Sequence, residues 1–416
     1  MKRVLLLMGT ETYRATDFLQ AARKLGVDVV VGTDAPDPLA GLNPGGLISL
    51  DFQDREGATR RIVDYHGAMP LDALVSVDDS ATALAARAGE ALRLPGNSEE
   101  ATISAADKFV FREIMQAAGL SSPWFRTFPL TDDPADVARA VPYPCVLKPL
   151  FLSASRGVIR ADDAAEFQAA FRRIAALLAD PELKARGGPA AEALLVESFM
   201  PGSEVALEGM VRDGEFRLLA FFDKPDALDG PFFEETLLVT PSRHPPGLQD
   251  RAVAVAAQGA RALGLRTGPV HAELRLNGET PYLLEMATRS IGGHCSRALR
   301  FGADMTLEEL ILRQALGEVP NRIERERRAA GVMMIPIPAG GRLQGVQGLE
   351  QARSVPGITE VEITIPLTRE VVPWPEGHRY LGFIFAKEDT PQAVEQALRM
   401  AHRRLRFDIE PSAEGA

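Results

Sequence analysis

Along the first hundred residues, short uninterrupted apolar runs alternate with stretches whose apolar positions recur every three to four residues. VLLLM (Val4 to Met8) and VDVVVG, ending near Asp34, read as buried strands, with a helix from about Thr16 to Leu25 between them. LDALVSV (Leu71 to Val77) predicts a third strand and Ser80 to Leu92 the helix after it. Continuously apolar strands separated by helices fit a parallel sheet covered on both faces, so residues 1–100 are expected to be Rossmann-like. The loop Gly9-Thr10-Glu11-Thr12 lacks the G-x-G-x-x-G of a dinucleotide site, and no nucleotide is placed there.

Pro and Gly in LRLPGN (Leu92 to Asn97) stop this pattern, and a capped helix starting with Ser104 or Asp107 opens the next unit. Residues 101–320 mix strands and helices, including an Ala-rich amphipathic helix over Ala164 to Leu178. The Arg-rich stretch Asn321 to Arg328 reads as a solvated helix or a linker. Beyond Gly331, VMMIPIP, ITEVEITIP and YLGFIFAKE, closed by a helix from Thr390 to Leu405, predict an α+β C-terminal domain over 321–416.

Composition narrows the class. Hydrophobic residues at 46% and charged residues at 25% are those of a packed soluble chain. A formal net charge of −11 repels nucleic acid and anionic membranes, so neither is an expected partner. No run reaches the roughly 20 apolar residues of a membrane helix, and the short Val4 to Met8 run after Met1-Lys2-Arg3 is not a signal peptide. Cys145 and Cys295 cannot build a disulfide framework, which points to a reducing cytoplasm.

Three stretches carry candidate chemistry. In CVLKPLFLSASRGV a strand delivers Lys148 into a loop of small and hydroxyl residues, Ser153, Ala154, Ser155, Arg156, Gly157 and Val158, where backbone N–H groups could approach phosphate oxygens. In ALLVESFMPGSEVALEGMV, the backbone around Glu197, Ser198, Phe199 and Met200 suits an adenine edge between apolar walls, and Glu204 suits ribose hydroxyls. In HAELRLNGETPYLLEMATR, the turn Asn277-Gly278 pairs two strands; alternation puts His271, Glu273 and Arg275 on one face, and Leu283, Glu285 and Ala287 on one face of the partner. Two carboxylates converging in an apolar sheet call for a cation, and magnesium on triphosphate oxygens meets that need. Arg289, four residues on, can fork onto a carboxylate, and Gly292 and Gly293 leave room for a small substrate. Lys224, Glu234, Arg243 and His244 are the polar candidates of the Phe- and Pro-rich segment before it.

In their order along the chain, Lys108, Lys148, the small-residue loop, Glu197 to Glu204, and then Glu273 and Glu285 resemble the ATP-grasp superfamily. That resemblance implies a Rossmann-like first domain, an ATP-grasp core of two α+β subdomains, with about 125–200 as a small lid, and a small α+β C-terminal domain. It implies that Lys108 and Lys148 touch ATP phosphates beneath a mobile loop formed by Ser153 to Val158. Glu197, Phe199 and Met200 would hold adenine, and Glu204 the ribose. Glu273 and Glu285 would bind two magnesium ions, with manganese as the alternative. Many members have Glu-x-Asn at the second metal position, whereas this chain has Glu285-Met286-Ala287. That departure, with Arg289 four residues after the Glu, is similar to the L-amino-acid ligase branch. There the arginine meets the acyl phosphate or the substrate carboxylate, and Ser290, Gly292, Gly293, His271 and Glu234 complete the implied substrate contacts. The implied reaction is an ADP-forming ligation of a small carboxylate to an amine, with amino acids as substrates and a homodimer as the assembly of similar folds. The alternatives are a bicarbonate-phosphorylating enzyme and a silent ATP-binding module.

Overall fold

A computed structural model describes residues 1–10, 12–34, 46–320 and 323–411. The N-terminal sheet is parallel, in the order Leu47–Ser49, Asp28–Thr33, Arg3–Leu7, Ala73–Ser76. The expected strand within Leu71 to Val77 is thus the fourth in the chain. The sequence reading did not include the short edge strand Leu47–Ser49 or the helix Arg55–Ala68. That helix buries only Ala58, Thr59 and Ile62, so its apolar period is faint. It is started by Asp54, whose carboxylate accepts from the Gly57 N–H.

The break at Leu92 to Asn97 is real, but the next helix begins earlier than expected. Ser98 caps Glu99–Ala106, and Asp107 then caps Lys108–Ala117, so Lys108 sits on the first turn of a helix. The lid is a four-stranded antiparallel sheet, in the order Phe125–Pro129, Ala193–Ser198, Cys145–Pro149, Ile159–Ala161. Asp163 caps the helix Ala164–Leu178, which packs Phe167, Phe171, Ile174 and Leu178 into the lid core.

The centre of the molecule is one antiparallel sheet of eight strands. Thr280–Ala287, Thr267–Asn277, Ser203–Arg212, Glu215–Asp223 and Leu237–Thr240 are followed without a break by Ala329–Ile335, Gly382–Glu388 and Ile358–Ile363. Three of the strands after residue 328 therefore extend the core sheet, joined where Leu237–Thr240 pairs Ala330–Met333, while Glu370–Val371, Gly341–Gln347 and Arg406–Glu410 form a separate antiparallel sheet of three. Within the Arg-rich stretch, 323–328 form no helix and bury Ile323; Asn321 and Arg322 lie outside the described residues. Among the described residues, no helix is long and apolar enough to cross a membrane.

This arrangement brings three surfaces to one place. The carboxyl ends of the parallel strands, the polar face of the central sheet and the lid loop all border a single cleft of about 600 Å³.

Candidate active site

The hairpin forms as expected, and Glu273 stands directly opposite Glu285. On the longer strand His271, Glu273 and Arg275 share the cleft side, while Ala272, Leu274 and Leu276 enter the core. The partner strand departs from plain alternation, because a bulge lies between the Glu273 and Leu274 pairings. Leu283 and Met286 are in the core, whereas Leu284 and Glu285 both border the pockets. The expected placement of Leu283 beside Glu285 is therefore corrected: one extra residue in the ladder reverses the facing of what precedes it. Glu285 makes no salt bridge among the described residues, though Lys108 and Arg289 lie near enough to act on it.

A second, narrow pocket of about 70 Å³ opens between lid and core, walled by Val146, Phe199, Met200, Phe233 and Leu284. Lys108, Lys148, Glu197 and Glu204 also line it. Glu197 is 1% exposed, held by Arg112 and by Lys148. Burial disfavours its charge, but the two cations outweigh that and hold its carboxyl at about 2. Arg112, likewise 1% exposed, also donates to the Leu283 carbonyl and so ties the lid strand to the hairpin. The Ser198 and Phe199 N–H groups already donate to the Trp124 and Pro144 carbonyls. An adenine edge here would meet other backbone groups.

Lys224 is the cation of the deep end. Its ammonium bonds Glu204 at 2.7 Å, Glu273 at 3.0 Å and also Glu235, and the oxygens of these three acids lie within 4.8 Å of one another. Arg275 holds Glu204 from the other side at 3.1 Å. Burial opposes the Lys224 charge, but the three carboxylates raise its pKa well above normal. Burial and then the Glu273 charge push Glu235 up to about 8. Glu273 itself stays well below the carboxylate range, since Lys224 and His271 outweigh its burial. His271 bridges Glu208 at 3.2 Å and Glu273 at 3.5 Å, and these bonds overcome burial to lift it to about 9. Hard carboxylate oxygens converging on the cleft fit a magnesium ion, and in this arrangement the lysine supplies the neighbouring positive charge.

Arg289 is claimed by Asp79, a residue absent from the candidates read from the sequence. Its guanidinium binds Asp79 in a two-pronged pair at 2.8 and 2.7 Å, across 210 residues, and donates to the Ser290 carbonyl. Asp79 follows the last strand of the parallel sheet, and Asp78, Tyr13 and Arg14 border the cleft beside it. Arg14, 2% exposed, donates to the Val77 carbonyl and to Ser290 Oγ at 2.7 Å. A position just past a strand's carboxyl end was the signal available for these four. Gly292 and Gly293 border the cleft. Glu235, not Glu234, lines it: Glu234 faces the backbone near Ile337, with burial raising it to about 7. Arg243 pairs with Asp223 and Glu395, and His244 contacts Ser203, so neither joins the cleft.

In the small-residue loop, Ser153, Ala154 and Ser155 border the cleft. Ala154, Ser155 and Gly157 have φ of 56°, 53° and 73°, a left-handed path that needs outside support at non-glycine positions. The support comes from the C-terminal segment. Trp374 Nε1 donates to the Ala154 carbonyl, the Gly157 N–H to the Pro375 carbonyl, and Arg156 Nε to the Glu376 backbone carbonyl, while the Glu376 carboxylate pairs with Arg173. Arg156 and Gly157 thus face this segment.

Comparison with known proteins matches three domain families. Residues 19–96 match the ATP-grasp N-terminal domain, 141–298 the ATP-grasp domain, and 333–410 the L-amino acid ligase C-terminal domain 2. The crystal structure of an L-amino acid ligase from Bacillus licheniformis superimposes with a TM-score of 0.83 at 26% identity, covering 99% of each chain. Carnosine synthase 1 of Gallus gallus is 28% identical over 83% of this chain and 40% of its own length. Alanine–anticapsin ligase of Bacillus subtilis is 26% identical over 60% of this chain and 55% of its own. The chain therefore spans about half the length of these two relatives.

Proposed function

Since the chain belongs to the ATP-grasp superfamily and carries the C-terminal domain of the L-amino acid ligases, we propose that it is an ADP-forming ligase joining an amino-acid carboxylate to an amine. The observation that carries this reading is the register pair Glu273 and Glu285, set between the narrow pocket and the Arg289 end of the wide cleft.

On this reading ATP lies with its base between Val146, Phe199 and Leu284 and its phosphates toward Lys108, Lys148 and Ser153 to Ser155. The narrow pocket is well under the roughly 300 Å³ of ordinary ligand sites, so nucleotide entry requires the lid to lift. Glu273 and Glu285 would hold the magnesium, whose chemistry is to neutralise phosphate oxygens. Arg289, parked on Asp79, exchanges that partner for the substrate carboxylate or the acyl phosphate. The carboxylate attacks the γ-phosphorus, ADP departs, and the amine displaces phosphate from the acyl phosphate. Positioning and charge neutralisation do most of this work, so no covalent side-chain nucleophile is needed. His271, held charged by Glu208 and Glu273, adds positive potential where the phosphoryl group passes.

The test is an ADP-release screen over pairs of amino acids with ATP and magnesium, followed by mass analysis of the product. Glu285→Gln should lose at least about 100-fold in kcat, as removal of a key electrostatic group does. Retained activity in that variant sinks the metal assignment. Phosphate release triggered by bicarbonate alone, with no amide product, would replace the ligase reading with a carboxylase-type one.

A further inference from the structure

The cleft contains an arginine that its own architecture leaves unused. Arg14 is bound to Val77 and Ser290, Arg55 to Glu99, and Arg289 to Asp79. Arg186, in the last turn of the lid helix Pro181–Gly187, borders the same cleft but makes no hydrogen bond or ion pair among the described residues. Its guanidinium lies over the Phe151 ring, 5.6 Å from the centroid. The ring packs closely on the helix end: a Cβ at Gly187 would come within 2.4 Å of Phe151, so a side chain there would displace the ring. Phe151 lies two residues before the loop Ser153 to Ser155 in the chain and borders the same cleft. The carboxylate that acts on Arg186 through space is Asp79, already taken by Arg289.

Arg186 is thus an exposed arginine set on an aromatic face of the cleft, with its guanidinium donors open to an anion. A planar guanidinium matches phosphate oxygens two at a time. We propose that Arg186 contacts the transferred phosphoryl group, binding γ-phosphate oxygens of ATP and then those of the acyl phosphate. This rests on the ligase reading above. In that step a carboxylate oxygen forms a bond to the γ-phosphorus, and the bond from that phosphorus to the bridging oxygen breaks, its electron pair leaving with ADP. The charge spread over the three remaining oxygens is what the guanidinium meets. The phosphoryl group is preferred to a side-chain carboxylate because Arg186 shares a wall with Ser153 to Ser155, the phosphate side of the cleft.

The experiment compares the wild type with Arg186→Ala and Arg186→Lys, magnesium present throughout. Calorimetry measures affinity for ADP and for a non-hydrolysable ATP analogue, and ADP release is followed with neutral and with acidic amino acids. Arg186→Ala should bind ADP normally, bind the analogue at least about 10-fold more weakly and lose about 100-fold in kcat with every substrate. Arg186→Lys should recover part of both, and melting temperatures should not move. Unchanged analogue affinity and kcat overturn the proposal, as does a loss confined to substrates with a second carboxylate. If the wild type ligates no substrate pair, the ligase reading fails by itself, and the contrast between ADP and the analogue still decides the fate of Arg186.

Discussion

Replacing Lys224 by Met tests the electrostatic logic of the deep site most directly, because it removes the one ammonium that faces Glu204, Glu235 and Glu273 together. Their oxygens lie within 4.8 Å of one another. At an effective dielectric of about 20, two unit charges at that separation repel by about 3.5 kcal/mol. Arg275 still serves Glu204 and His271 still serves Glu273, so Glu235 is the group left uncompensated. Breaking a buried pair in this way costs about 3–5 kcal/mol, unless the orphaned carboxylate takes a proton. Glu235 already titrates at about 8, above its ordinary 4.5, and loss of the lysine moves it higher. The sign follows. The stability linked to its proton is complete below 4.5 and is lost as the pH rises through about 8, so the variant's deficit should be small in mild acid and large in alkali. Urea unfolding of both proteins on either side of that midpoint gives the comparison. Magnesium in tenfold excess over its dissociation constant should return about 1.4 kcal/mol to the variant and less to the wild type, whose lysine competes for the same oxygens. A deficit equal at both pH values and untouched by magnesium would refute the reasoning.

His271 should stabilise the fold in the opposite half of the titration. Its pKa of about 9, against 6.5 when exposed, means a contribution of order 3 kcal/mol that is complete below 6.5 and gone once the pH has passed about 9. The difference in unfolding free energy between wild type and His271→Gln should fall across that window, and a flat difference would remove His271 from the charge network. The contact from the Trp374 indole to the loop should govern its opening. With Trp374→Phe, which removes the bond to the Ala154 carbonyl, amide exchange over 153–158 should speed by at least about 10-fold, the equivalent of one lost hydrogen bond; unchanged exchange would show that the loop holds without it.

The helix Ala164–Leu178, three of the four strands of the parallel sheet and the Asn277-Gly278 hairpin were readable because each depends on period and turn chemistry within a few residues. The Glu273–Glu285 pairing was readable for the same reason, since a tight turn sets the register of what it joins. The bulge that carries Leu284 to the pocket was not, because it answers to packing on both faces of the sheet. Arg112 looked like an ordinary helix residue, and only the approach of lid and core makes it the partner of Glu197, 85 positions away.

By itself, then, the sequence determined the kinds of elements, their order and the residues that bring charge to them: Lys108 on a helix start, Lys148 at a strand end, two glutamates facing across a hairpin. Tertiary structure decided which charges meet. It placed Lys224 among three acids, put Glu235 rather than Glu234 in the cleft, sent Arg243 and His244 elsewhere, and closed Arg289 onto Asp79. It also merged three of the C-terminal strands into the core sheet and set Trp374 to Glu376 against the loop Ser153 to Val158. The physical reason is range: backbone propensity and alternation act over a few residues, whereas the burial that makes an ion pair strong depends on segments hundreds of positions apart arriving at one place.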